Sequence, residues 1–322
     1  MKTVDPRLER VLKNLLARII SCFPLRSLAD PGYFRMWEDK GIHITADHCY
    51  SSIPNLLDID RDIWEKEKEL VGVDLNEQKQ LELMKLFAEL FSKEYARFPK
   101  TSHDVQQPYQ YYLNNPFFGP GDAEILYGMI RNFKPRRIIE VGSGFSTYLS
   151  AQAIADNRES GSSLTELTAI ECNPNDTLKK GFPGLTKLIQ HRIEKVSYLE
   201  FESLQENDIL FIDSSHTLKI GGDVQYLFLE ILPRLNKGVL VHVHDIFFPG
   251  DYPRQWVLED HRFWVEQYLL QAFLCFNNAY EVLWCGSFMH RRHLRELAGA
   301  FCSCSYQEDL SCLPKSFWMR RR

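Results

Sequence analysis

The sequence predicts an α/β fold: a doubly wound, mostly parallel sheet with helices on both faces, preceded by an N-terminal helical extension. Three observations predict it. From about residue 120 onward, short apolar runs alternate with helical patterns. The first of these runs stops at glycines and leads straight into a helix, Glu140-Val-Gly-Ser-Gly-Phe-Ser146. Ahead of this rhythm lie two long helical stripes with an irregular stretch between them. The boundaries that follow are an extension over 1–115, a sheet domain over 116–292 and a tail over 293–322.

Composition sets outer limits. The chain has 322 residues, 44% hydrophobic and 25% charged, ordinary values for a globular protein with material for a large core. A net charge of -5 gives no general reason to expect a nucleic-acid partner. The basic clusters Arg291-Arg292 and Arg320-Arg321-Arg322 read as solvated ends. Eight cysteines are scattered rather than framed, as in a reducing compartment. Cys302, Cys304 and Cys312 fall short of the four ligands of a structural zinc site. No run reaches the roughly 18–20 apolar residues of a membrane span, and the N-terminus lacks a signal-peptide pattern. The expected setting is cytoplasmic.

The elements follow in order. Asp5 and Pro6 suit a helix start, and Leu8, Val11, Leu12, Leu15, Leu16, Ile19 and Ile20 repeat at helical spacing. With Arg7, Arg10, Lys13 and Arg18 on its other face, this helix packs on its own protein or docks on a membrane surface or partner. The stretch Gly41 to Pro54 is too apolar for a linker and too broken for a long helix. Asp74 with Glu77 forms a capping box for a helix from about Asn76 to Phe98. A helix over Ala123–Phe133 then leads to the strands Arg137–Val141, Leu167–Glu171, Thr186–Gln190, Asp208–Asp213 and Gly238–His244, with helices between, one over Gly222–Leu232. One long helix over Trp256–Phe276 precedes a last strand, Tyr280–Trp284.

In an open parallel sheet, ligands bind at the carboxyl ends of the strands. The first strand ends in the glycine turn, with Glu140 two residues ahead of Gly142. An acid there suits the cationic amino-acid end of S-adenosylmethionine (SAM). The third glycine of the dinucleotide pattern is missing, since Thr147 and Tyr148 occupy that region, which disfavours a nicotinamide oxidoreductase. Glu171 ends the second strand and can accept from both ribose hydroxyls. The fourth strand ends in Asp213-Ser-Ser-His216 and the fifth in His242-Val-His244-Asp245. Carboxylates and imidazoles gathered on one rim can serve as a general base or hold a divalent cation.

These segments, with Phe211-Ile-Asp-Ser-Ser-His216 and Val243-His-Asp-Ile-Phe247, resemble the class I SAM-dependent methyltransferases, and most closely the bacterial methyltransferase family 24. The resemblance spans roughly residues 41–290 and includes Asn236-Lys-Gly-Val, Phe248-Pro-Gly-Asp-Tyr-Pro253, Glu266-Gln-Tyr-Leu-Leu-Gln-Ala-Phe273 and His48-Cys-Tyr-Ser-Ser-Ile-Pro54. It implies the Rossmann-like methyltransferase fold. It implies that Glu140, Gly142, Ser143, Gly144 and Phe145 line the methionine part of SAM and that Glu171 takes the ribose, with Asp213 also at the cofactor. Arg192 to Lys195 is the candidate stretch for adenine. Catechol O-methyltransferase and the macrolide-sugar methyltransferases hold magnesium at positions matching Asp213, His244 and Asp245. Histidine is a poor magnesium ligand, so a softer ion or no metal is also open.

The expected reaction is methylation of a hydroxyl on a small-molecule or saccharide acceptor. His216 would act as general base, with Asp245 orienting it or binding a cation. A SAM-binding scaffold without activity is the rival. The N-terminal helices and the His43–Pro54 segment are expected to cover the site.

Overall fold

The central apolar runs become strands because they are covered on both faces. In the computed structural model, which describes residues 6–22, 27, 29–162, 164–301 and 313–322, β1 is Arg137–Val141, β2 Glu166–Ile170, β3 Lys187–Ile189, β4 Ile209–Ile212 and β5 Leu240–Val243. Every residue of β4 and β5 is buried, as expected of parallel strands sandwiched between helices. With β6 (Tyr280–Cys285) and β7 (Phe317–Arg321) they form a seven-stranded sheet of order β3-β2-β1-β4-β5-β7-β6. Strands β1 to β5 run parallel, and β7 pairs antiparallel with both β5 and β6. The register aligns Val141 with Ile170 and Ile212, and Ile212 with Val243. Gly142, Glu171, Asp213 and His244 therefore follow their strands onto one rim. The strand order reverses between β1 and β4, the topological switch point where such sheets open a crevice.

The tail is where the structure departs most from the sequence reading. Phe317, Trp318 and Met319 are fully buried in the sheet, so the segment placed after residue 292 closes the fold rather than trailing from it. The basic end is not simply solvated: Arg320 and Arg321 are half-buried, and Arg322 is exposed. The Arg320 guanidinium lies 4.9 Å from the Phe133 ring centre, and that of Arg321 lies 5.4 Å from the ring centre of Tyr280. Arg321 donates to the Ala279 carbonyl at 2.9 Å and Arg322 to Glu281 at 3.2 Å. The chain divides into two compact units, Met1–Asp60 and Arg61–Arg322.

In the first unit, α1 (Pro6–Ser21) carries the expected stripe, with Val11, Leu12, Leu15, Leu16, Ile19 and Ile20 exposed. Asp5 and the cysteines 302, 304 and 312 lie outside the described residues. Gly41 to Pro54 forms turns without helix or strand. In the second unit, α2 (Glu77–Tyr95) buries Met84, Phe87, Phe91 and Tyr95. Its start is not the expected capping box. Asn76 takes a left-handed conformation (φ 51°), and the Asp74 carboxylate accepts from the Asn76 amide at 2.8 Å rather than from the helix. Glu77 instead meets His293 at 2.7 Å. Next come α3 (Asp122–Phe133) and α4 (Phe145–Glu159), the helix that the glycine turn opens.

The single helix expected over Trp256–Phe276 is two, α5 (Arg254–Leu258) and α6 (Glu266–Leu274). The polar run Glu259-Asp-His-Arg262 breaks the apolar stripe, and His261 turns left-handed (φ 54°). The break has a structural use. The amides of Val265 and Glu266 donate to the His216 carbonyl at 3.0 and 3.2 Å, so the start of α6 is fastened to the loop after β4. Among the described residues no helix is long and apolar enough to cross a membrane.

Candidate active site

The crevice at the switch point is a cavity of about 520 Å³, and its walls include Gly142, Glu171, Arg192, Asp213 and Ser215. That volume suits a nucleotide-sized ligand. Gly142 shapes its floor, while Gly144, also expected at the cofactor, lies outside its lining. Gly142 has φ +80°, and a Cβ there would lie 1.8 Å from the Asp213 carbonyl oxygen, so β1 and β4 close on each other only because that atom is absent. At Gly144 the place of a Cβ is open space, which leaves backbone bare for a ligand. Glu171 is fixed by backbone donors: the Ser143 amide reaches one oxygen at 3.3 Å and the Asn173 amide the other at 2.8 Å. Of the stretch proposed for adenine, Arg192, Ile193 and Glu194 line the cavity, and Lys195 does not.

Three residues expected to face the cofactor stand elsewhere. Glu140 is fully buried beneath the glycine turn, where it accepts the Ser146 hydroxyl at 2.5 Å and leaves its other oxygen unpartnered. Burial pushes its carboxyl up to about 8, with the Ser146 and Thr147 hydrogen bonds opposing the rise. Phe145 packs edge-on against Tyr112 and Tyr148, with ring centres 5.2 and 5.8 Å away. The Ser143 hydroxyl is buried without a partner. None of the three is among the cavity's lining residues. A strand's alternation explains Glu140: Val141 faces the crevice, so its neighbour faces away.

Beside the cavity lies a charged cluster, and Asp213 belongs to both. The His216 ring places Nε2 at 3.2 Å from Asp213 and 3.5 Å from Asp245, while Nδ1 lies 2.8 Å from Glu266. Trp264 covers the ring at 4.3 Å between centres. His216 and Asp245 both adopt φ 56°, a conformation uncommon outside glycine and held here by the surrounding packing. Burial would lower the His216 pKa, but the hydrogen bonds to Asp213 and Glu266 and the nearby carboxylates hold it well above the usual histidine value. Both ring nitrogens face carboxylates, an arrangement that favours the protonated ring over the neutral form in which histidine acts as a base.

Lys315 completes the cluster. Its Nζ sits 2.8 Å from Asp245 and 5.1 Å from the Trp256 ring centre. Burial would raise the Asp245 carboxyl, yet the Lys315 charge beside it carries it far below the ordinary range. The backbone of this segment is anchored by Asp122, whose carboxylate accepts the amides of Lys315 and Ser316, both at 2.8 Å. Sequence reasoning missed Lys315, Glu266 and Asp122. The one available signal was a lone lysine within the apolar run Leu313-Pro-Lys-Ser-Phe-Trp318.

His244 stands at the edge of the cluster, its Nε2 3.8 Å from Asp245, and is not in the group that could hold a metal. Its ring lies against Phe118 at 5.1 Å and His242 at 5.5 Å. His242 is a core residue, stacked on Phe211 at 3.8 Å and paired with the Ser316 hydroxyl at 3.0 Å. Among the described residues one group could offer donors to a metal: Asp213, His216 and Asp245, with one atom of each within 4.8 Å of the others. The expected Asp213–His244–Asp245 set is thus replaced. The new set does not fit a divalent ion well, because Lys315 and the His216 imidazolium already neutralise its carboxylates.

A family profile described as "Methyltransferase domain" (Methyltransf_24) matches residues 139–246. An uncharacterized protein of Archaeoglobus fulgidus is 33% identical over 176 residues, covering 50% of this chain and 74% of that protein. Among solved structures, an O-methyltransferase from Bacillus cereus in complex with SAH aligns at 14% identity and a TM-score of 0.40, over 76% of this chain and 91% of its own. The plantazolicin methyltransferase BamL, with SAH and a triazolic desmethylPZN analog, aligns at 14% identity and a TM-score of 0.36, over 62% and 84%. The methyltransferase assignment rests on the profile match over residues 139–246.

Proposed function

We propose that the chain, whose residues 139–246 match the methyltransferase-domain family, transfers the methyl group of SAM to a hydroxyl oxygen of a small or carbohydrate-like acceptor. One observation carries the proposal: Asp213 both lines the crevice at the switch point and accepts from His216 in the charged cluster. A cofactor cavity and a proton-handling group thus share one carboxylate.

SAM supplies an electrophilic methyl carbon on a sulfonium. The chain's residues bind it and aim the acceptor at it. Gly144 leaves backbone open to the methionine end, and Glu171, held by two amides, faces the ribose hydroxyls. Arg192, Ile193 and Glu194 wall the adenine side. Holding oxygen and methyl carbon in line is the larger part of the rate gain. As the oxygen gains its methyl group its proton becomes strongly acidic, so even a weakly basic carboxylate can take it; burial would raise the Asp213 carboxyl, but His244 and His216 hold it below its ordinary value. Asp213 is the more open of the two carboxylates on Nε2, 33% exposed against 9% for Asp245, and receives that proton. His216, oriented by Glu266, holds both in place.

The test is calorimetric titration with S-adenosylhomocysteine, followed by turnover with an acceptor found by screening hydroxyl compounds. His216→Ala is expected to leave the affinity within about threefold and to lower turnover by about 10²–10⁴-fold. Equal losses in both would remove His216 from the acceptor step. Absence of binding by the wild-type protein would remove the cofactor assignment.

A further inference from the structure

The carboxylates at the ends of β4 and β5 form the kind of pair that a divalent ion commonly bridges. Here the pair is met by a side chain, and the sheet register delivers it. In the antiparallel pairing of β5 with β7, Val243 faces Phe317. Continued two residues past β5 and two residues ahead of β7, the same ladder sets Asp245 opposite Lys315. The Ile246 amide donates to the Lys315 carbonyl at 3.0 Å, which fixes that alignment beyond the strands. Asp122, itself 2% exposed, grips the amides of Lys315 and Ser316 from the other side.

We propose that Lys315 is the resident cation of the acceptor site, standing on Asp245 where a metal ion would stand, so that the acceptor oxygen is met by an ammonium and the site takes up no divalent cation. The proposal rests on the methyl-transfer reading. Charge balance supports it. Asp213, Asp245 and Glu266 face His216 and Lys315, and each acid lies within 3.5 Å of a cationic nitrogen. A divalent ion entering this group would meet two positive charges at contact range, a strong repulsion in a buried site. The Lys315 stem is immobilised by its own backbone bonds and by Trp256, so the ammonium is positioned before any acceptor arrives.

Titration of the purified protein with manganese chloride, read by the electron paramagnetic resonance of free Mn²⁺, tests the proposal without an acceptor. The wild-type protein is expected to leave an equimolar Mn²⁺ signal unchanged. Lys315→Met and Lys315→Gln, which empty the position of charge, are expected to bind Mn²⁺ at least about tenfold more tightly than wild type. Lys315→Arg, which keeps the charge, is expected to stay indifferent. Stoichiometric Mn²⁺ uptake by the wild-type protein overturns the proposal, and needs no variant to fold. So does a failure of both neutral variants to gain affinity while still binding S-adenosylhomocysteine as wild type does. A parallel titration with S-adenosylhomocysteine separates the two readings. Loss of S-adenosylhomocysteine binding in the wild-type protein counts against the methyltransferase site, whereas Mn²⁺ uptake with that binding intact counts against Lys315 alone.

Discussion

The two halves of the rim are built in opposite ways. The cofactor half comes from short, continuous stretches: the turn Gly142–Ser146 and the β2 end at Glu171, both held largely by backbone bonds. The acceptor half is gathered from four separate places: the loop after β4, the end of β5, the start of α6 and the approach to β7. The first half depends on missing atoms at glycines. The second depends on charges matched side chain to side chain. Substitutions in the first half should therefore act by steric closure, and those in the second by leaving a buried charge without its partner.

The largest effect expected is at the glycine turn. Gly142→Ala would place its Cβ 1.8 Å from the Asp213 carbonyl oxygen in a backbone conformation that alanine disfavours. Affinity for S-adenosylhomocysteine should fall by about 100-fold or more, since the β1 turn must move out of the crevice. An alanine variant that binds normally would mean the turn is softer than the contrast requires.

A smaller and different effect is expected at Asp122, which serves the acceptor half only. Asp122→Ala removes the acceptor of two buried amides and should destabilise the protein by about 1–3 kcal/mol in chemical denaturation. Hydrogen exchange at the Ser316 amide should speed up while S-adenosylhomocysteine affinity holds. Equal weakening of cofactor binding would blur the division between the halves.

The mildest test concerns pH. Burial raises the Glu140 carboxyl from its ordinary 4.5 to about 8. Folding then takes up a proton between those two values, so this contribution to stability is full below the lower one and is lost as pH climbs through the upper. Glu140→Gln carries no such proton and should show a flatter stability profile over that window, read from urea midpoints at about pH 5 and about pH 9. An unchanged slope would assign the pH dependence to another buried acid such as Glu124, which burial raises to about 7.

The same contrast explains what was legible in the sequence. The parallel strands, the glycine turn and Glu171 could be read because each is a contiguous pattern whose meaning is set by near neighbours. Asp213 and His216 could be read as rim residues from their place after an apolar strand. The charge state of His216 could not, since it depends on Glu266, which a break in a helical stripe brings to its Nδ1. Nor could Lys315, whose position follows from a strand that the basic run Arg320-Arg321-Arg322 disguised as a solvated end. Glu140 was read correctly as a marker of the turn but not for its direction, which the two-residue period of the strand decides.

The place of β7 bears on how the molecule is assembled. It follows β6 in the chain yet lies between β5 and β6, which have no pairing with each other. Until Phe317–Arg321 arrives, each of those strands presents a raw edge, one of them Leu240–Val243, whose four residues are all buried in the folded protein. Nascent or partly unfolded chains caught in that interval carry two adhesive surfaces, the kind that draw chains into aggregates or into the hands of chaperones.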